Sequence, residues 1–179
     1  NDTLDCIKLN HQLEVSTDDQ LKYSWSGPNG YTSNLRNPVV NNPGEYIVVV
    51  TGKNGCPKTG AILLSEDKNL PALSLDADTI NCFNNGIVPS VNVDPQVTSF
   101  AWTGPNNFSS SQSAPLINRG GIYILKIIGK NGCENSDTVQ VLEDVVKPTV
   151  AIAADTITCK TTANISLKSI SPNSTFDWT

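Results

Sequence analysis

Methionine is absent from the 179-residue chain, histidine occurs once, and aromatic residues make up only 6%. No apolar run approaches the roughly 20 residues that a membrane-spanning helix needs, so no membrane insertion is expected. No cluster of lysine or arginine stands out, and 17 acidic against 12 basic residues leave a net charge of −5. A surface that tracks phosphates needs concentrated positive charge, so nucleic acid is not an expected partner. The lone His11 has no Cys or Ser motif beside it, and the serine-rich SSSQS at 109–113 carries no nucleophile elbow. No acidic pair suggests general acid–base work, so no catalytic residue is assigned. The opening NDTLDC is no secretory leader and reads as internal to a longer protein. What remains, with 12 glycines, 11 prolines and five cysteines, is the profile of a turn-rich, all-β extracellular protein.

The pentapeptide GKNGC occurs at Gly52–Cys56 and again at Gly129–Cys133. Its glycines and lysine hint at a phosphate loop, but such a loop requires Gly-Lys followed by Ser or Thr after a longer glycine-rich lead. Asn-Gly between β-branched runs is instead a hairpin signal, expected to place both central residues at positive φ. The recurrence extends along the chain. DTLDC at Asp2 returns as DTINC at Asp78 and DTITC at Asp155, and WSGPNGYTS at Trp25 returns as WTGPNNFSS at Trp102. PGEYIVVVTGKNGC from Pro43 matches GGIYILKIIGKNGC from Gly120, always at an offset of 76 or 77. Such a period marks tandem units, here 1–70 without its first strand, 71–147 complete, and 148–179 as the start of a third.

Within the complete unit, strand signals recur at the spacing of a β-sandwich. Strands are expected over 72–77 continuing toward Cys82, 87–94, 98–103, around 108–110 and 115–117, then 122–129 and 138–143. The third is centred on Trp102. One aromatic per strand at fixed repeat positions points to a core of Trp25, Trp102, Trp178, Tyr46 and Tyr123 rather than a sugar-binding platform.

A unit that runs D-T-x-x-C, W-[ST]-G-P-N-x-[FY], G-x-Y and N-G-C resembles the tandem immunoglobulin-like, PKD-like repeats of giant Bacteroidota surface adhesins, and among these the SprB-type gliding-motility adhesins. That resemblance implies export by type nine secretion, cell-surface display, work with the gliding machinery, and a filament that carries an adhesive face toward an extracellular surface or polysaccharide. Two other readings stay open: spacer or carbohydrate-binding repeats of a secreted polysaccharide-degrading enzyme, and a non-adhesive surface filament. Asp-Thr followed by an aliphatic residue resembles the O-glycosylation signal of that bacterial group, which would place glycans on Thr3, Thr79, Thr138 and Thr156. The alternative is that Asp-Thr simply suits a strand start.

Acidic residues gather near the unit boundaries at Glu66, Asp67, Asp76, Asp78, Glu143, Asp144 and Asp155. Interdomain calcium is conceivable there, yet the Asp-x-Asp-x-Asp-Gly spacing is missing, and solvated linkers account for them. The cysteines allow two pairings. Within units the bonds would be Cys6–Cys56 and Cys82–Cys133. In a seven-strand sandwich, however, the two turns that carry these cysteines lie at opposite poles, some 25 Å apart for a strand of about eight residues, beyond the roughly 7 Å that bonded Cα atoms allow. End-to-end stacking would pair Cys6 with Cys133 and leave Cys56, Cys82 and Cys159 to units outside the chain. One central strand instead of two would reverse this parity and restore bonds within units.

Overall fold

A computed structural model describes residues 2–16, 21–147, 150–154 and 165–169. The described chain is all-β. Its first part comprises β1 (Thr3–Asp5), β2 (His11–Gln12), β3 (Lys22–Ser26), β4 (Thr32–Ser33), β5 (Val39–Val40), β6 (Gly44–Thr51) and β7 (Pro57–Asp67). One sheet runs β1-β7-β6-β3-β4, and β2 pairs with β5 in the facing layer. The second part comprises β8 (Leu73–Asp76), β9 (Ile80–Asn81), β10 (Ser90–Val93), β11 (Val97–Gly104), β12 (Phe108–Ser110), β13 (Gly121–Gly129), β14 (Glu134–Val141) and β15 (Glu143–Asp144). Its main sheet runs β12-β11-β13-β14, with pairs β10–β8 and β15–β9 beside it. β16 (Val150–Ala154) and β17 (Ile165–Ser169) form an antiparallel pair. This is an immunoglobulin-like β-sandwich arrangement, used twice.

Each part closes its own core. Leu4, Leu13, Tyr23, Trp25, Val40, Tyr46, Val48 and Leu64 form one cluster. Ile80, Ile87, Trp102, Ile117, Tyr123, Leu125, Ile127, Val139 and Val141 form the other. Strand alternation decides which side chains enter. In β13, Tyr123, Leu125 and Ile127 point inward, while Ile122 and Ile124 stay 59% and 44% exposed.

The two aromatic motifs of each repeat lock onto one another. Tyr123 donates its hydroxyl to the Arg119 carbonyl at 3.0 Å, and Tyr46 does the same to Asn42 at 2.8 Å. The ring of each tyrosine lies where a Cβ on Gly104 or Gly27 would stand, so the glycine of W-[ST]-G-P-N is fixed by the tyrosine of G-x-Y. The last residue of the first motif completes the cluster. Phe108 meets Tyr123 and Tyr31 meets Tyr46 edge-on, with ring centroids 5.2 and 5.4 Å apart, a favoured aromatic geometry.

Several expectations need correction. The stretch 72–82 is two strands: β8 pairs antiparallel with β10, whereas β9 pairs in parallel with β15. Leu73, Leu75 and Ala77 pack inward, but the next inward residue is Ile80, a one-residue phase slip that no continuous strand permits. Pro89, which lacks an N–H, precedes β10, so only an isolated Ile87–Ile117 bridge stands where the strand was expected to begin; the same bridge is all that forms of the 115–117 strand. β14 starts at Glu134, not 138, because pairing with β13 carries its polar half. The change of offset from 76 to 77 lies in a bulge: Val97 pairs with Gly129 and Ser99 with Ile128, leaving Thr98 as the extra residue.

The GKNGC turn also differs. Gly55 donates to the Gly52 carbonyl and Gly132 to that of Gly129, both at 2.9 Å. Only these glycines have positive φ, 79° and 73°; Asn54 and Asn131 do not. It is the longer hairpin loop, with a β-turn followed by a left-handed glycine. The asparagine side chain is thereby released to cap the loop, accepting the N–H of Cys56 or Cys133 at 3.1 Å.

Candidate functional site, a joint between two cores

The joint is built from a hook and a socket. The hook follows β1. The Asp5 carboxylate accepts the backbone N–H groups of Ile7 and Lys8 at 2.8 and 2.6 Å, curling residues 5–8 so that Cys6 and Ile7 project from the end of the strand. Those two donors, Lys8 foremost, hold the Asp5 carboxyl below the usual carboxylate range. Asn81 forms the same turn in the second repeat, accepting from Phe83 at 2.9 Å and Asn84 at 3.2 Å.

The socket is the loop between β13 and β14. The Asn131 carbonyl accepts the Cys6 N–H at 3.1 Å. Its side-chain amide donates to the Asp67 carboxylate at 3.2 Å and to the backbone carbonyls of Asn69, at 2.9 Å, and Asp67, at 3.4 Å. Ile7 packs over Gly132. Cys133, fully buried, is disulfide-bonded to Cys6 with Cα atoms 5.0 Å apart, across 127 residues of sequence. The middle of the second repeat does hold two short elements, β12 paired to β11 and Ile117 bridged to Ile87. The two turns therefore face each other only across the joint. Beside the staple lies a cavity of about 200 Å³ lined by Asp67, Asn69, Pro71, Asp94, Gln96 and Lys130. The arrangement can transmit load and restrain rotation; nothing in it activates a nucleophile.

The remaining candidates lie elsewhere. Trp25, Trp102, Tyr46 and Tyr123 are in the cores, and burial pushes both phenols above their ordinary pKa. Trp178, Cys159 and Thr156 lie outside the described residues, as does Asp155. Cys56 and Cys82 are free and exposed. Thr3 and Thr79 are half-buried and Thr138 is exposed. The boundary carboxylates serve local contacts: Glu66 with Lys68 at 2.6 Å, Glu143 with the Gly120 N–H at 2.8 Å, Asp76 with the Ala77 N–H at 2.9 Å. Among the described residues no three His, Cys, Asp or Glu side chains come together as a metal site. His11 faces Asp2 at 3.3 Å. Asp5, Ile7 and Asn131 were not singled out as joint residues from sequence, and Asp67 was named only among the acidic residues near the unit boundaries. The identity of both GKNGC copies was the available signal for Asn131, but its second partner set exists only once two units meet.

No protein-family profile and no curated protein matches the chain. Among solved structures, several immunoglobulin-domain proteins show a partial likeness. An amphioxus IgVJ-C2 molecule is 16% identical over 74% of this chain and 96% of its own, with a TM-score of 0.36. Drosophila OTK extracellular domains 3–5 are 14% identical over 80% and 58%, with a TM-score of 0.36. Sidekick-1 immunoglobulin domains 1–4 are 12% identical over 94% and 54%, with a TM-score of 0.30. At such identities the likeness says nothing of partners or activity. No helix among the described residues is long and apolar enough to cross a membrane.

Proposed function

We propose that the chain is a mechanical segment, a stiff run of tandem immunoglobulin-like units divided at 70–71 and 147–148, within a large secreted cell-surface adhesin. The observation that carries this reading is the Cys6–Cys133 staple backed by Asn131. Interfaces between neighbouring domains are ordinarily small enough to permit relative motion, and a covalent tie across one, in an oxidising compartment, restrains it. Burial of the aromatics that recur at matching positions of both repeats favours a spacer over a sugar-binding platform. The repeat signature supports the finer assignment to a SprB-type gliding adhesin exported by type nine secretion, with O-glycans on Thr3, Thr79, Thr138 and Thr156.

Small-angle scattering of the oxidised chain and of a Cys6→Ser/Cys133→Ser double variant tests the mechanical role. The oxidised chain should fit one fixed arrangement of the first two cores, and the variant an ensemble of bent ones. Equal flexibility in both would remove the basis for a rigid stalk. Immunolabelling of the native host tests surface display separately.

A further inference from the structure

The two GKNGC loops carry one reactive dipeptide in different surroundings. In Asn54–Gly55 and Asn131–Gly132 the glycine has no side chain to shield its backbone nitrogen. That nitrogen can attack the asparagine Cγ. An N–Cγ bond forms, the Cγ–Nδ2 bond breaks, and the side-chain amide leaves as ammonia with the proton from the glycine nitrogen. Water then opens the cyclic imide at one of its two carbonyls, giving aspartate or isoaspartate. Only water is consumed. Asn29–Gly30 and Asn85–Gly86 are further such pairs, but GKNGC presents one sequence in two settings.

The turn itself is the same in both copies. Each glycine N–H is held at 2.9 Å by the carbonyl of the glycine that opens its pentapeptide. Each asparagine Oδ1 accepts a cysteine N–H at 3.1 Å. The leaving group is what differs. Asn131 Nδ2 donates to the Asn69 carbonyl at 2.9 Å, the Asp67 carboxylate at 3.2 Å and the Asp67 carbonyl at 3.4 Å, and Ile7 covers Gly132. Asn54 is exposed, and its Nδ2 has no hydrogen-bond partner among the described residues. Ring closure requires the side chain to swing onto the glycine nitrogen. At Asn54 that breaks the turn bond alone; at Asn131 it also breaks three bonds to the end of the first repeat.

We propose that Asn54 and Asn131 are sites of spontaneous deamidation, and that the seated hook decides which of them reacts: Asn54 converts, whereas Asn131 is held back until Cys6 and Ile7 leave the socket. Conversion at Asn131 is then one-way. A carboxylate only accepts hydrogen bonds, so it would face the Asp67 carboxylate and two carbonyl oxygens with no donor between them, and like charges that close repel. The isoaspartate form also adds a methylene to the backbone of the residue whose carbonyl accepts the Cys6 N–H. A joint once opened and modified does not reseat. The proposal rests on the stapled joint and supplies the chemistry that makes its opening irreversible.

The test incubates the full oxidised chain in mildly alkaline buffer, where the glycine nitrogen loses its proton more readily. Each asparagine is followed by peptide mass mapping after quenching in acid. Asn131 should convert about tenfold more slowly than Asn54, the factor that roughly one net hydrogen bond of ordinary strength implies. In a Cys6→Ser/Ile7→Asp chain, whose changes lie outside both cores, the two rates should become equal. Asn131→Asp, the reaction product, should speed reduction of the Cys6–Cys133 bond by about tenfold, again the worth of roughly one hydrogen bond. Asn54→Asp, the same change in the same turn, should leave that reduction unaltered, so damage to the turn cannot mimic the difference. Equal conversion of both asparagines in the oxidised chain, no conversion at Asn54, or equal reduction rates for the two Asp variants overturns the proposal. Disulfide mapping is read independently, so the stapled joint and this chemistry can fail separately.

Discussion

Ile7 occupies the space that a Cβ on Gly132 would need, whereas Gly55, the repeat mate of Gly132, has nothing within 4 Å. Both glycines have positive φ, so an alanine at either pays the left-handed penalty of about 1–2 kcal/mol. Only at Gly132 must it also displace Ile7. Gly132→Ala should therefore destabilise more than Gly55→Ala and should speed reduction of the Cys6–Cys133 bond. Matched denaturation curves and reduction rates for the two variants decide this; equal behaviour would mean that Ile7 adds nothing to the joint.

Non-reducing peptide mapping should recover Cys6 linked to Cys133, with Cys56 and Cys82 alkylated before any reduction. The chain-entropy treatment assigns a loop of this length about 5 kcal/mol. Reduction should loosen the joint while each core, closed by its own cluster, stays folded. Recovery of Cys6–Cys56 and Cys82–Cys133 would contradict the pole geometry.

Removing an indole from a closed core leaves a cavity. Trp102→Ala should cost about 3–5 kcal/mol, whereas Tyr123→Phe, which removes only the bond to the Arg119 carbonyl, should cost about 1 kcal/mol. Urea denaturation of both gives the ranking, and a Trp102→Ala chain as stable as the parent would return the aromatics to consideration as a surface platform.

The Asp5 carboxyl is held below its ordinary range by two backbone donors. Its contribution to the hook is therefore complete above the ordinary carboxylate pKa of about 3.9 and is lost as pH falls through its lowered value. The Ile7 and Lys8 amide resonances should shift in an acid titration, with a midpoint below that ordinary value. Asp5→Asn, which copies Asn81, should keep the turn and abolish that titration.

Glycans should be found on some of Thr3, Thr79, Thr138 and Thr156 in material from the native host, by intact-glycopeptide mass spectrometry. Wholly unmodified Asp-Thr peptides would leave those positions as strand starts and nothing more.

Period, turns and core were legible in the sequence because they are local or alternating features. GKNGC marks a hairpin wherever it occurs, and Tyr123, Leu125 and Ile127 face inward by the pleat alone. The bent first strand was less legible, since its two halves bond to different sheets and the slip between Ala77 and Ile80 matters only once both sheets exist. Sequence also made Gly55 and Gly132 identical, and Asn54 identical to Asn131. Tertiary structure made them unlike. Gly132 and Asn131 meet Ile7, Cys6 and Asp67 of the preceding repeat, while Gly55 meets nothing within 4 Å. A repeat's own residues set its fold through short-range geometry, and the turns that carry the cysteines already made Cys6–Cys133 one of the two pairings open to the sequence; which pairing forms across 127 residues depends on how two finished units are set end to end.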